Sequence, residues 1–459
     1  MKLIYGIKDR PKLGQVIIFA IQQLLAIMAA TLVVPVIIST SDNIPPELLP
    51  EMSSAAALLG AGIGTLVYQL FTRFKSPVFL GSSFAFIGPM CAAFAGAASV
   101  QAGYLGLIIG AAMAGLVYML IALIVKLAGV KWIAKLMPAV VIGPTVAIIG
   151  LSLAGNAVGD LQKAPAGGSV YVAIICGLVT LAVTMLCATF GKKMIRLIPF
   201  IIGILAGYAV AAIFTVIGTV ADIPSLLVIN FDPIKSLFAP FTFESIISVP
   251  DLTFMQAIKG VTEINAEYIF ALFVAYVPVA AVVFAEHLAD HKNLSTIIEH
   301  DLLEEPGLHN TLLGDGVGSI AGAIFGGCPN TTYGESVGCV AITGNASVIT
   351  ITVTAVMAIA ISFLSPFVAF VNTIPSCVMG GVCMALYGFI AVSGLKMIQK
   401  VDLEQNRNLF VVSVILITGI GGLSISFGEV KLTTIACALI LGILANLMLG
   451  RKDKKKDEE

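Results

Sequence analysis

From residue 13 to residue 450 the chain passes through fourteen apolar runs, most of them near twenty residues long. About 20 apolar residues in a helix cover a hydrocarbon core about 30 Å thick. In lipid every backbone N–H and C=O must find a partner inside its own segment or a neighbour, which restricts such a chain to spanning helices or a closed barrel. Runs of this length exclude the barrel. Composition agrees: 58% of the residues are hydrophobic and 11% are charged, where a soluble domain carries about 25% charge. The mean hydropathy is +1.04. The sequence therefore describes an all-α polytopic membrane protein.

Charge supplies an independent check on the count. Cytoplasmic loops hold most of the Lys and Arg of a membrane protein, and with the N-terminus inside, 21 of the 25 basic residues fall on that side, leaving Lys163, Lys235, Lys259 and Lys431 outside. Both termini are expected to be cytoplasmic. The opening MKLIYGIKDRPK leads into a run longer than a signal-peptide core, without an A-x-A-like cleavage site, and reads as a retained first span. The final RKDKKKDEE reads as a solvated tail. The eight cysteines lie in or beside apolar runs with no C-x-x-C pair, so they read as small hydrophobes. All four histidines (287, 291, 300, 309) fall near Asp290, Glu299, Asp301, Glu304 and Glu305. That stretch reads mostly as a cytoplasmic loop, and no metal site is assigned to it.

Fourteen runs split into seven and seven, so a repeat must be inverted across the membrane, as in many secondary transporters. The polar connection at about 219–265 is the seam. Under that division run 3 matches run 10, and both are irregular. Run 3 opens SPVFLGSSFAFIGP (76–89) and run 10 contains CPNTTYGESVG (328–338). Glycine and proline inside, with Thr, Tyr and Phe at the start, argue for a short extended piece leading into a helix. Non-helical backbone survives at membrane depth only where it is buried in protein or lines a cavity. Each piece also leads to a helix N-terminus, with its free N–H groups and partial positive charge. The alternative is that the glycines only let helices pack closely.

Two carboxylates stand in or at the edge of these apolar runs, Glu286 after YIFALFVAYVPVAAVVFA and Glu335 after NTTYG. A charge at the bilayer centre costs about 2.5–3.5 kcal/mol on insertion scales. Glu286 as a wet residue at a helix end, or Glu335 as a helix-cap charge, would explain them structurally. In a low-dielectric cavity, however, a carboxyl group can hold or release a proton near neutral pH. Asp290, four residues after Glu286, shares its helical face. Glu286, Asp290 and Glu335 are thus the expected proton-coupling residues.

GSSFAFIGP (81–89), AEHLADH (285–291), DLLEEPGLH (301–309), PNTTYGESVGCVAITG (329–344) and PSCVMGGVCMALYG (375–388) closely resemble the nucleobase/ascorbate transporter family, and within it the bacterial uracil permeases. The similarity runs in order over nearly the whole chain, and its most specific element is Glu335-x-x-Gly338-x-x-x-x-Thr343. The resemblance implies fourteen segments in two inverted seven-segment repeats, with short extended pieces in segments 3 and 10. It implies a core domain of residues 1–127 and 266–372 (segments 1–4 and 8–11), a gate domain of 128–265 and 373–450 (segments 5–7 and 12–14), and the cytoplasmic tail 451–459. It also implies proton-coupled uracil uptake across the cytoplasmic (inner) membrane by movement of core against gate, and a homodimer. No cofactor beyond the coupling proton and no nucleic-acid partner is expected. Carried over position by position, Glu286 takes the pyrimidine N–H and carbonyl edge, Glu335 holds the ring from the other side, and the backbone N–H groups of Phe84 and Gly334 reach its carbonyls. Tyr333 shapes the pocket and Tyr387 meets it from the gate domain.

The chain departs from that pattern at a few positions. Asp290 stands where bacterial uracil permeases have histidine and is closer to purine-transporting relatives, so xanthine or another purine base is the alternative substrate. Ser336 replaces a common asparagine, Gly344 a frequent basic residue, and Gln22-Gln23 a common Gln-His. A channel would need a continuous polar lining or ring of charge, and a membrane enzyme a nucleophile with its base or a metal. Neither pattern is evident in the sequence.

Overall fold

The computed structural model describes residues 3–129, 132, 137–165, 167–192, 194–239, 241–427 and 430–450. The charged tail 451–459 lies outside them. The first half runs α1 (Leu13–Ser39), α2 (Ser54–Phe71), strand β1 (Leu80–Ser82), a single 3-10 turn Phe84–Phe86 continuing into α3 (Ile87–Ala95), α4 (Val100–Ala128), α5 (Ala139–Ser152), α6 (Ala154–Leu161), α7 (Val170–Phe190) and α8 (Pro199–Val220). After short helical turns come α9 (Ala266–Ile298), α10 (Leu308–Gly326), strand β2 (Asn330–Thr332), α11 (Gly334–Thr343), α12 (Val348–Ser362), α13 (Ser365–Asn372), α14 (Ser376–Ile398) and α15 (Asn406–Ile420). A hairpin of β3 (Ile425–Phe427) and β4 (Val430–Leu432) and then α16 (Thr434–Leu449) close the order.

Eight of the described helices are long and apolar enough to cross a membrane, and four shorter apolar helices accompany them. Large apolar side chains such as Leu178, Met185, Ile213 and Val216 are exposed on α7 and α8, a surface that suits lipid and not water. The protein is an integral membrane protein. Helix starts are set locally: Ser53, Ser99, Asn265 and Thr433 each cap an orphan N–H with a side-chain oxygen.

Packing sorts the helices into two groups. In one, α2 lies against α10 and α12, and α4 against α9 and α10; in the other, α14 packs on α5, α6 and α7, while α15 and α16 pair and reach α5. The α2–α10 contact is a backbone-to-backbone one. A Cβ added at Gly60 would come 2.7 Å from the Gly322 carbonyl oxygen. Small residues allow this approach where lipid offers no hydrophobic drive between helices.

The stretch that holds the histidines, expected mostly as a cytoplasmic loop, is helical as far as Ile298, and His287 and His291 are both fully buried on α9. Their polar atoms are satisfied inside the bundle, so polarity did not end the helix. Seven of the eight cysteines are buried and all eight are free thiols.

Candidate functional site

The two irregular segments meet. Strands β1 and β2 pair antiparallel, with Leu80 opposite Thr332, Gly81 opposite Thr331 and Ser82 opposite Asn330. The ladder extends at both ends, since Ser83 N–H donates to the Pro329 carbonyl (3.0 Å) and Tyr333 N–H to the Phe79 carbonyl (3.3 Å). Two strands this short do not hold themselves together in isolation; side chains anchor them. Thr65 of α2 accepts from Leu80 N–H at 2.9 Å and its hydroxyl lies 3.2 Å from the Leu80 carbonyl. Asn330 donates its amide to the Gly60 carbonyl at 2.8 Å. Ser336 accepts from Gln23 of α1 at 2.6 Å and from Phe79 N–H at 3.2 Å.

Tyr333 is part of the same fastening. Its hydroxyl donates to the Ser82 carbonyl at 2.8 Å, and its ring lies over Gly81 so closely that a Cβ there would be 2.4 Å from ring carbons. Only glycine fits beneath it. Tyr333, expected to help shape the pocket, is buried and joins the two strands.

The strand pair delivers two helix starts side by side. Phe84 and Gly334 are the first residues of their helical stretches, and neither N-cap, Ser83 or Tyr333, contributes a capping side chain. Uncapped N-termini leave donors available to a ligand. Around Gly334 the surroundings are partly open: Gly334 is exposed, and Glu286, Asp290 and Glu335 are half-buried, whereas Ala285, His287 and Ser336 beside them are buried.

The carboxylates converge on this point. Asp290 accepts from the Thr332 hydroxyl at 3.2 Å and its other oxygen lies 3.9 Å from where a Gly334 Cβ would sit. Glu286 stands one turn before Asp290 on the same face of α9. From the second group of helices Tyr387 on α14 meets Phe84 edge-on, with ring centroids 5.7 Å apart. Phe84, Tyr333, Gly334 and Glu335 thus sit at the strand junction, with Asp290 bonded to Thr332, Glu286 one turn before it on α9 and Tyr387 against Phe84.

Sequence reasoning missed the supports. Thr65 is an ordinary polar residue in an apolar run with no spacing that marks it, and although Gln23, Asn330 and Thr332 stood in quoted motifs, nothing in them showed that they fasten the strands. Asp315 was visible as a lone carboxylate in LLGDGVGSIAGAIFG. It stands 2.8 Å from His287 Nδ1, both groups fully buried. His287 Nε2 is 3.0 Å from the Thr311 hydroxyl, and His291, stacked on His287 at 4.0 Å, reaches Tyr68 at 2.7 Å. Among the described residues no group of His, Cys, Asp and Glu is arranged to hold a metal ion.

With that geometry in view, comparison with known proteins separates the candidates. A model described as "Permease family" matches residues 14–426. The chain is 38% identical to a uracil permease of Bacillus caldolyticus, covering 98% of this chain and 95% of that one. It is 37% identical to a uracil permease of Bacillus subtilis (99% and 98% covered) and 34% identical to one of Escherichia coli K12 (99% and 96%). The chain belongs to the permease family. Its relatives are carriers and not enzymes, so this chain is a membrane transporter. Among solved structures, the transmembrane domain of a cyanobacterial bicarbonate transporter, BicA, superposes with a TM-score of 0.58 at 14% identity, covering 96% of this chain and 98% of that one. The murine anion transporter Slc26a9 in its inward-facing state gives 0.61 at 11% identity, covering 97% and 69%. At that identity the likeness concerns fold alone.

Proposed function

We propose that this permease imports uracil with protons across a cytoplasmic (inner) membrane, by alternating access of a core domain against a gate domain. The observation that carries the reading is the junction of β1 and β2, which brings two uncapped helix starts and three carboxylates to one half-open place. The names of the similar permeases support uracil as cargo. The order of elements supports two seven-segment repeats of inverted orientation, fourteen segments in all, and the two packed groups of helices support a core of 1–127 and 266–372 and a gate of 128–265 and 373–450. The charge bias supports cytoplasmic termini, and a homodimer follows from the family resemblance.

The chemistry fits a flat ring that alternates N–H and C=O groups. Glu286 accepts the ring N–H, Glu335 holds the opposite side, and the Phe84 and Gly334 N–H groups donate to the carbonyls. Phe84 and Tyr387 close over the ring from core and gate. Analogues that leave one of these buried groups unpaired are rejected. Glu286, Asp290 and Glu335 share the coupling proton, since three neighbouring carboxylates cannot all remain charged at low dielectric.

Purified protein in proteoliposomes with labelled uracil tests the reading. An inward proton gradient drives accumulation, and accumulation untouched by an uncoupler overturns proton coupling. Asp290 favours one second reading, a purine base, which a competition panel of xanthine, guanine and thymine against uracil decides.

A further inference from the structure

Four residues that line one small cavity beside the strand pair each carry an unpartnered polar atom. These atoms are the Tyr118 hydroxyl on α4, Asp315 Oδ1 and Ser319 Oγ on α10, and Asn330 Oδ1 on β2, and none has a hydrogen-bond partner among the described residues. The four residues are 4%, 1%, 6% and 1% exposed. All line the same cavity, about 10 Å³ in volume, whose remaining wall includes Phe86, Val283 and Gly316. That volume is about one water-sized sphere. Buried polar groups are almost always paired, so four orphans around one such space point to a shared ligand.

We propose that this cavity is a built site for a single water molecule, which joins the His287–Asp315 pair to β2 and thereby positions the Gly334–Glu335 end of α11. The donor and acceptor count closes. The Tyr118 and Ser319 hydroxyls each supply a proton, Asp315 Oδ1 and Asn330 Oδ1 each accept one, and a water accepts two and donates two. The Asn330 orientation is set independently, because its amide nitrogen donates to the Gly60 carbonyl at 2.8 Å. Asp315 Oδ2 is likewise engaged by His287 at 2.8 Å. A monovalent cation is the competing occupant of an all-oxygen set. It would use both hydroxyls as acceptors and send their protons elsewhere, yet neither hydroxyl has another partner among the described residues. The count favours water. The positioning step alone rests on the uracil reading; the site itself does not.

The test begins with the full chain in lipid nanodiscs, at a resolution that shows ordered water, in sodium chloride and in choline chloride. The expected result is a density peak about 2.6–3.2 Å from all four oxygens in both salts. No peak, or a peak present only with sodium and at shorter contacts, overturns the proposal, as does a Tm that rises with sodium chloride and not with choline chloride. Tyr118→Phe and Ser319→Ala are each expected to lower the Tm, with the double variant falling by less than the sum because the first change already disturbs the shared molecule. Additive losses overturn it. Equilibrium uracil binding reads the positioning step: Ser319→Ala weakens affinity about three- to tenfold, the worth of one neutral hydrogen bond. Unchanged affinity removes the positioning role, whereas absence of binding by the wild-type chain sinks the uracil reading and leaves the water site standing.

Discussion

At Gly81 a single hydrogen in place of a side chain lets the Tyr333 ring lie on the strand and its hydroxyl reach the Ser82 carbonyl. Gly81→Ala is expected to push that ring away, costing about 1–3 kcal/mol as an overpacked core site does and lowering uracil uptake further than Tyr333→Phe, which keeps the ring and loses one bond. Thermal unfolding and initial uptake rates of the two variants make the comparison. Glu286 is half-buried and makes no hydrogen bond or ion pair among the described residues, so Glu286→Gln is expected to retain the fold and reduce uptake roughly 10- to 100-fold, the span of a lost charged hydrogen bond. Wild-type uptake by that variant removes Glu286 from the mechanism. Residue types told much of this in advance: small residues, an aromatic and carboxylates marked the place. They did not tell which way Tyr333 points. Its ring on Gly81 and its hydroxyl on the Ser82 carbonyl join residues about 250 positions apart, which its neighbours in sequence do not encode.

At the scale of elements, β1 and β2 survive because α1, α2 and α11 lend side chains to them. Thr65→Val is expected to leave the Leu80 N–H unpaired and lower stability by about 1–3 kcal/mol, while Thr65→Ser, which keeps the hydroxyl, stays near wild type; the Tm of both variants in detergent is the measurement. The sequence disclosed two extended pieces, since glycine, proline and β-favouring residues interrupt apolar runs there. That the pieces pair with one another is a contact between residues about 250 positions apart, which no local pattern encodes. The same limit explains α9. An apolar run that stops at Glu286, His287 and Asp290 looks like the end of a span. The helix goes on because Asp315, Thr311 and Tyr68 on other helices receive the two imidazoles.

At the scale of the whole molecule, the connections outside the membrane carry ordinary surface electrostatics. The Lys75 ammonium, 2.9 Å away, holds the Glu305 carboxyl below its usual range. A carboxylate with a lowered folded-state pKa adds stability above its ordinary value of about 4.3 and loses it as pH falls through the lower one. Lys75→Met is therefore expected to narrow the acid dependence of the Tm below about pH 4.5 and leave it alone at pH 7 apart from a small offset, since the pair is solvent-exposed. Across the two groups of helices, Phe84 and Tyr387 meet edge-on. Cysteines at both positions, in a background with the native thiols replaced, are expected to be bridged by a reducible bifunctional thiol reagent that arrests uptake, with reductant restoring it. Uptake that persists in the cross-linked protein refutes motion of one group against the other at this contact. That the chain is built from many apolar helices was legible from hydropathy alone because lipid permits so few alternatives. Which group each helix joins was not, because that depends on where glycines such as Gly60 and Gly322 let backbones touch.

The ladder between β1 and β2 stitches the first half of the chain to the second on the same side of the Phe84–Tyr387 contact. Both helix starts that would grip the cargo must then travel as a single jaw. On the proposed alternating access, such a carrier would change which compartment sees its passenger without loosening its hold in transit, so uracil measured from the two faces at equal pH should show nearly the same dissociation constant, and net flow would follow the summed gradients of uracil and proton.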